Sequence, residues 1–261
     1  MDRTGESVAL LRSAIPSVTV TRMDRARLPD VVVERIRRER YDPRKTQFDY
    51  LHLRDLKAQL QAAFAGLPNV SGPALDLFCG TQPYREMIPV KPVWGLDLDR
   101  HFGRTDVVSS VPLPFADATF GLVVCTQALH MVADPVATVR ELGRVLKPGG
   151  AAVVTVPHIF RKEVPQEQQF SSEALRTLFR GWDFRCDGFG GRFSVVMYAL
   201  AGLQNAFARR AAPARLLGIP LAGALNACAI ATCKLTARRA NSFNASWLVV
   251  AKPSANGISQ P

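Results

Sequence analysis

A chain of 261 residues with 48% hydrophobic content is long enough to bury a full core, and one main domain is expected. Its five cysteines form no CxxC pair and no histidine stands at zinc-ligand spacing, which argues against a metal cluster or a disulfide framework and for reduced thiols in the cytosol. The formal charge of +11 is unevenly spread: the middle of the chain is balanced, and the stretch from Phe193 to Pro261 has no acid while carrying Arg209, Arg210, Arg215, Lys234, Arg238, Arg239 and Lys252. Such a segment favours an anionic partner, or else is a solvated basic surface.

The opening MDRTGESVALLRSAIPSV has acids near its start and only a short apolar run, which is not a secretory signal. Residues 1–48 read as a basic arm, irregular apart from one short helix near 30–40. Leu53, Leu56, Leu60, Phe64 and Leu67 then recur three and four apart, which predicts an amphipathic helix over 49–67 lying on a sheet, with Gly66 ending it. Strand-like apolar runs follow at ALDLF (74–78), VWGLD (93–97), FGLVVC (120–125), AAVVTV (151–156) and WLVVA (247–251), with a further strand near WDFRCDGF (182–189). A helix begins at Asp134, a good N-cap followed by Pro135, and is expected to carry Lys147 in its last turn before Pro148, Gly149 and Gly150 stop it. Alternating strands and helices predict an α/β fold, a Rossmann-like parallel sheet with helices on both faces.

Ligands in such sheets sit beyond the carboxyl ends of the strands. Those positions hold Asp76 to Tyr84, Asp97, Ser109 to Val111, and Thr126 to Met131. Two acids roughly 20 residues apart, the second closing a strand, suit a ribose, because a carboxylate accepts from both adjacent hydroxyls. Only Gly80 stands in the first turn, so the glycine-rich fingerprint of a dinucleotide site is missing and a nicotinamide cofactor is disfavoured.

The ordered set ALDLFCGTQPYREMI, VWGLDLD, LPFADATFGLVVCTQALHMVADP and ELGRVLKPGGAAVVTVP resembles the class I S-adenosylmethionine-dependent methyltransferases of the type 11 group. The resemblance implies a last antiparallel strand and S-adenosyl-L-methionine as cofactor. It also implies a cofactor site at Asp76, Cys79, Gly80, Asp97, Ser110, Val111, Gln127 and Ala128, within a core at 49–192. Phe78, Ser110, Gly121 and Met131 depart from the family pattern, which keeps a second reading open, a non-catalytic protein that retains the fold.

The leading expectation is methyl transfer to oxygen on a small or glycan-type acceptor. His130 and His158 are the candidate catalytic bases, each weighed against a purely structural role, with Glu163 and Glu167 as outside candidates. Residues 193–244 read as an apolar, basic helical insertion: either a lid over the acceptor, or a surface at 193–239 docking on an anionic membrane. The last strand and tail occupy 245–261, and nucleic acid is disfavoured as a partner because no aromatic-studded basic face accompanies the core.

Overall fold

The computed structural model describes residues 26–47, 49–67, 69–158, 168–190, 222–231 and 246–254. The loop candidates Glu163 and Glu167, and all of the basic insertion except 222–231, lie outside the described residues. In chain order the elements are α1 (Asp30–Tyr41), α2 (Tyr50–Ala65), β1 (Ala74–Leu77), β2 (Val93–Asp97), β3 (Val107–Val108), β4 (Phe120–Thr126), α3 (Pro135–Val145), β5 (Leu146–Pro157), α4 (Ser172–Leu178), β6 (Trp182–Phe189) and β7 (Ser246–Pro253). Residues 222–231 are also helical.

The seven strands form one sheet in the order β3-β2-β1-β4-β5-β7-β6. β1 pairs in parallel with β2 and β4, and β4 with β5, while β7 runs antiparallel between β5 and β6. Strand order reverses at β1, which places the crevice expected of such sheets beyond Leu77 and Thr126. Two-residue β3 is too short to leave an apolar pattern in the sequence.

Side chains alternate across a strand, so β1 divides its residues between two cores. Leu75 and Leu77 join Val123, Cys125, Val139, Leu142 and Leu175 beneath α3 and α4. Ala74, Leu122 and Val124 join Leu56, Leu60, Ala63 and Phe64 of α2 on the opposite face. Each of those large apolar side chains contributes about 1.5–3 kcal/mol by leaving water, so α2 is held firmly to the sheet. Asp76 shares the parity of Ala74 and therefore faces α2.

α3 starts as expected: the Asp134 side chain accepts from Ala137 N, and Pro135 occupies the first turn. It ends earlier than expected. Leu146 is already extended and pairs with Phe120, which draws Lys147 into β5 instead of the helix.

The described part of the N-terminal region lies against the core. Leu28 N donates to His101 O at 2.8 Å, Arg104 pairs with Glu34 at 2.7 Å, and Arg37 Nε donates to Gln82 O at 3.4 Å. The 222–231 helix buries Ala222, Asn226 and Ala229. Asn226 Nδ2 donates to Lys45 O at 2.7 Å and to Gln47 O at 2.9 Å, fixing this helix to the loop between α1 and α2. Among the described residues no helix is long and apolar enough to cross a membrane, and no group of acids, cysteines and histidines is placed to hold a metal.

Candidate active site

The turn after β1 is tightly determined. Phe78, Gly80 and Gln82 all have φ near +50°, the left-handed region that glycine tolerates best. Gln82 is held there by its surroundings: it is buried, Arg85 Nη1 donates to its Oε1 at 2.9 Å, and its carbonyl accepts from Arg37. Arg85 also donates to Val93 O at 2.7 Å, joining the turn to the start of β2. The amide of Gln82 lies so close to Gly95 that a Cβ there would collide with it, so the glycine in VWGLD makes room for the turn.

Asp97, closing β2, reaches back to this turn. Its Oδ2 accepts from Gly80 N at 2.8 Å and its Oδ1 from Leu98 N at 2.8 Å. Each carboxylate oxygen offers about two lone pairs, the acceptor type that a pair of vicinal hydroxyls needs. Asp76 is buried, and desolvation pushes its carboxyl up to about 8, against the pull of Arg85 and with a further push from Asp97. A cation beside it would restore its charge. Burial, with Asp76 as the next cause, also raises the Cys79 thiol well above its ordinary value, making it a neutral wall.

These groups face one cavity of about 450 Å³. Asp76, Phe78, Cys79, Gly80, Asp97 and Phe102 line one side, and Thr126, Gln127, Ala128 and Met131 line the end of β4. Gln127 has φ +53°, and its Nε2 is buried without a hydrogen-bond partner, a donor suited to a ligand's acceptor atom. A second cavity, about 200 Å³, lies between the end of α2 and strands β6 and β7, and no strand-end residue lines it.

Residues 75–154 match the family described as a methyltransferase domain, type 11. Residues 75–154 thus carry a methyltransferase domain of type 11. No curated protein matches it. Among solved structures, a SAM-dependent methyltransferase from Thermotoga maritima, described as a possible histamine N-methyltransferase, is 14% identical with a TM-score of 0.51, covering 86% of this chain and 98% of its own. A putative sarcosine dimethylglycine methyltransferase from Galdieria sulphuraria is 13% identical with a TM-score of 0.50, over 85% and 98% of the two chains. The (4+2)-cyclase SpnF is 20% identical with a TM-score of 0.50, over 76% and 81%. At such identities the likeness shows the fold, and the range of names illustrates that this fold hosts more than one chemistry.

S-adenosylmethionine is the cofactor of this methyltransferase domain, and the residues present fit it. Asp97 borders the cavity as an acceptor carboxylate, Gly80 carries no Cβ where the backbone meets the cavity, and Gln127 presents an unpaired donor. Asp76 lacks only a positive charge to ionise.

Of the cofactor residues expected from sequence, Asp76, Cys79, Gly80, Asp97, Gln127 and Ala128 line the cavity, whereas Ser110 and Val111, which follow β3, do not line it. Their segment is tied to the site through Ser109 N, which donates to Asp97 O at 3.0 Å. Neither candidate histidine lines the cavity. His130 is buried in the short 3-10 turn after β4, where its carbonyl accepts from Gln168 N at 2.8 Å. His158 uses Nδ1 to donate to Phe170 O at 3.0 Å and meets Trp247 edge-on at 5.3 Å.

Two departures from the family pattern gain physical explanations. A Cβ at Gly121 would collide with the Ser71 carbonyl, so glycine here serves a close backbone approach. Phe78 is half-buried, packs on the core beneath α3, and also borders the cavity.

The sequence reading missed the cavity's opposite wall. Asp49, His52, Leu53 and Leu56 line it from α2 and its N-cap, with Arg40 of α1 and Tyr84 beside them. Desolvation lowers His52 to about 4 and raises Asp49. The signal was present as helical spacing: positions 49, 52, 53 and 56 share one face, and Leu53 and Leu56 were already assigned to the sheet-facing stripe.

Proposed function

We propose that this protein transfers a methyl group from S-adenosylmethionine to a small acceptor held between the turn after β1 and the N-terminal half of α2. One observation carries this: the Gly80 and Asp97 cradle opens into the same cavity that α2 walls with polar side chains. When bound, the cofactor supplies a methyl group already activated by its sulfonium, so little acid catalysis is needed from the protein. The chain's task is alignment and exclusion of water, which Leu53, Leu56 and Met131 serve on the acceptor side.

Oxygen on a small or glycan-type acceptor, the sequence expectation, calls for a base with a pKa near the working pH. His52, the imidazole in the cavity, lies at about 4, so it supports this variant poorly. Phe78 at the cavity edge supports the second reading, a non-catalytic protein that keeps the fold. Incubation with methyl-labelled S-adenosylmethionine and a panel of amines and alcohols tests the proposal. Label transferred to any acceptor supports it, and tight cofactor binding without transfer to any of them favours the non-catalytic reading.

A further inference from the structure

Resting on the methyltransferase reading, we propose that the N-terminal turn of α2 is the acceptor subsite and that it recognises an amine, with Asp49 facing the nitrogen and His52 accepting one of its N–H bonds. Asp49 Oδ1 is buried and has no hydrogen-bond partner, though it borders a cavity large enough for a ligand. A buried carboxylate oxygen in that condition is costly until a donor or a positive charge reaches it. His52 lies one helical turn further on the same face, its ring stacked at 6.3 Å on Phe189.

The charge of the cavity points the same way. Although the chain carries +11 overall, the described residues lining the cavity include three acids, Asp49, Asp76 and Asp97, against one arginine or lysine, Arg40, exposed at the rim. Asp76 and Asp97 belong to the cofactor turn, which leaves Asp49 as the carboxylate of the acceptor side. The remaining wall there, Leu53, Leu56, Ile88, Met131 and Val132, is apolar and suits the body of a small organic amine.

The chemistry agrees with the geometry. The ammonium that binds releases one proton to water and then needs no base to attack: as the neutral amine, its lone pair forms the nitrogen–carbon bond while the carbon–sulfur bond breaks, and the displaced pair stays on sulfur. Positive charge passes from sulfur to nitrogen, and the product leaves as the N-methylammonium ion. A carboxylate at the nitrogen stabilises the charge that develops there. A neutral imidazole can accept the N–H bond and orient the lone pair, which a protonated one would repel. The titratable groups that share the cavity with His52 are Asp49 at the start of α2, Arg40 on α1, Asp76 on β1, Cys79 and Tyr84 in the turn, and Asp97 on β2, and burial is what holds His52 low.

Three probes with one body separate the head groups: benzylamine, benzyl alcohol and benzoate, titrated calorimetrically into the full chain saturated with S-adenosylhomocysteine. At about pH 7, where benzylamine is a cation, it is expected to bind about tenfold or more tighter than the alcohol, with benzoate weakest. Asp49→Asn, which keeps the side-chain shape and a helix-capping residue, should abolish that preference without changing affinity for S-adenosylhomocysteine, and Asp49→Glu should restore part of it. His52→Gln should lower kcat for methylation of benzylamine more than it changes KM. The His52 ring resonances should remain those of a neutral imidazole down to about pH 5 and shift when benzylamine is added. Equal binding of amine and alcohol, an amine preference that survives in Asp49→Asn, or no binding of any probe overturns the subsite. Failure to bind S-adenosylhomocysteine itself overturns the methyltransferase reading and the subsite with it.

Discussion

The two walls of the cavity are built by different means. The turn after β1 is specified by local backbone chemistry: left-handed residues, a glycine without a Cβ, and Asp97 drawing Gly80 N into place. The α2 wall is specified by packing, since Leu56, Leu60 and Phe64 fasten the helix to the sheet and its polar first turn overhangs the cavity as a consequence. Changes in the turn should therefore act on the cofactor, and changes in the α2 wall on the acceptor.

The largest expected effect is on the turn. Asp97→Ala removes the ribose acceptor and leaves Gly80 N and Leu98 N without their partner, so calorimetry should show cofactor affinity falling by about 2–3 kcal/mol, roughly 30-fold or more. A variant that binds like the parent would place the cofactor elsewhere.

A proton makes the next largest difference. Asp76 lies at about 8 in the ligand-free protein, and a bound cation lowers that value. Binding then releases a proton at pH values between the bound and the free pKa. Affinity for S-adenosylmethionine should thus climb with pH, by at most about tenfold per unit, and level off above about 8. S-adenosylhomocysteine, which lacks the sulfonium charge, should show a shallower slope, and Asp76→Asn should flatten both. The same raised pKa gives the opposite sign for folding. The uncharged carboxyl favours the native state fully below its ordinary value of 3.8, and that contribution is lost as pH rises through about 8, so the ligand-free protein should melt at a lower temperature above that pH.

The smallest effect concerns the support of the α2 wall. Asn226→Ala breaks the hydrogen bonds to Lys45 O and Gln47 O, leaving two carbonyls without this donor ahead of Asp49. Stability in urea should fall by about 1–2 kcal/mol, and acceptor KM should rise while cofactor affinity holds. A matching loss of cofactor affinity would show that the two walls are not separable.

Much of the fold could be read from sequence because its signals are local. The apolar runs at 74–78, 93–97 and 120–125 are bounded by turn residues, and Asp134 with Pro135 marks the start of α3 without reference to anything distant. The turn after β1 was legible for the same reason. The α2 wall was not, because its position depends on which face of β1 Asp76 occupies, and that face follows from combining the parity of Ala74 and Asp76 with the stripe of α2. His130 and His158 stand after strands, as the strand-end rule asks, but that rule fixes the end of the sheet and not the direction of a side chain. Gly121, which in sequence resembles a lost acid, answers to the Ser71 backbone, a contact across the chain that no local pattern reveals.

Calorimetric titration of the full chain with S-adenosylmethionine and with S-adenosylhomocysteine, in buffers of different ionisation enthalpy below about pH 8, tests the central claim most directly. The structure predicts one site for each ligand, with more proton release for S-adenosylmethionine. Absence of binding to both would contradict the assignment of the Gly80 and Asp97 cradle and leave the fold without its chemistry.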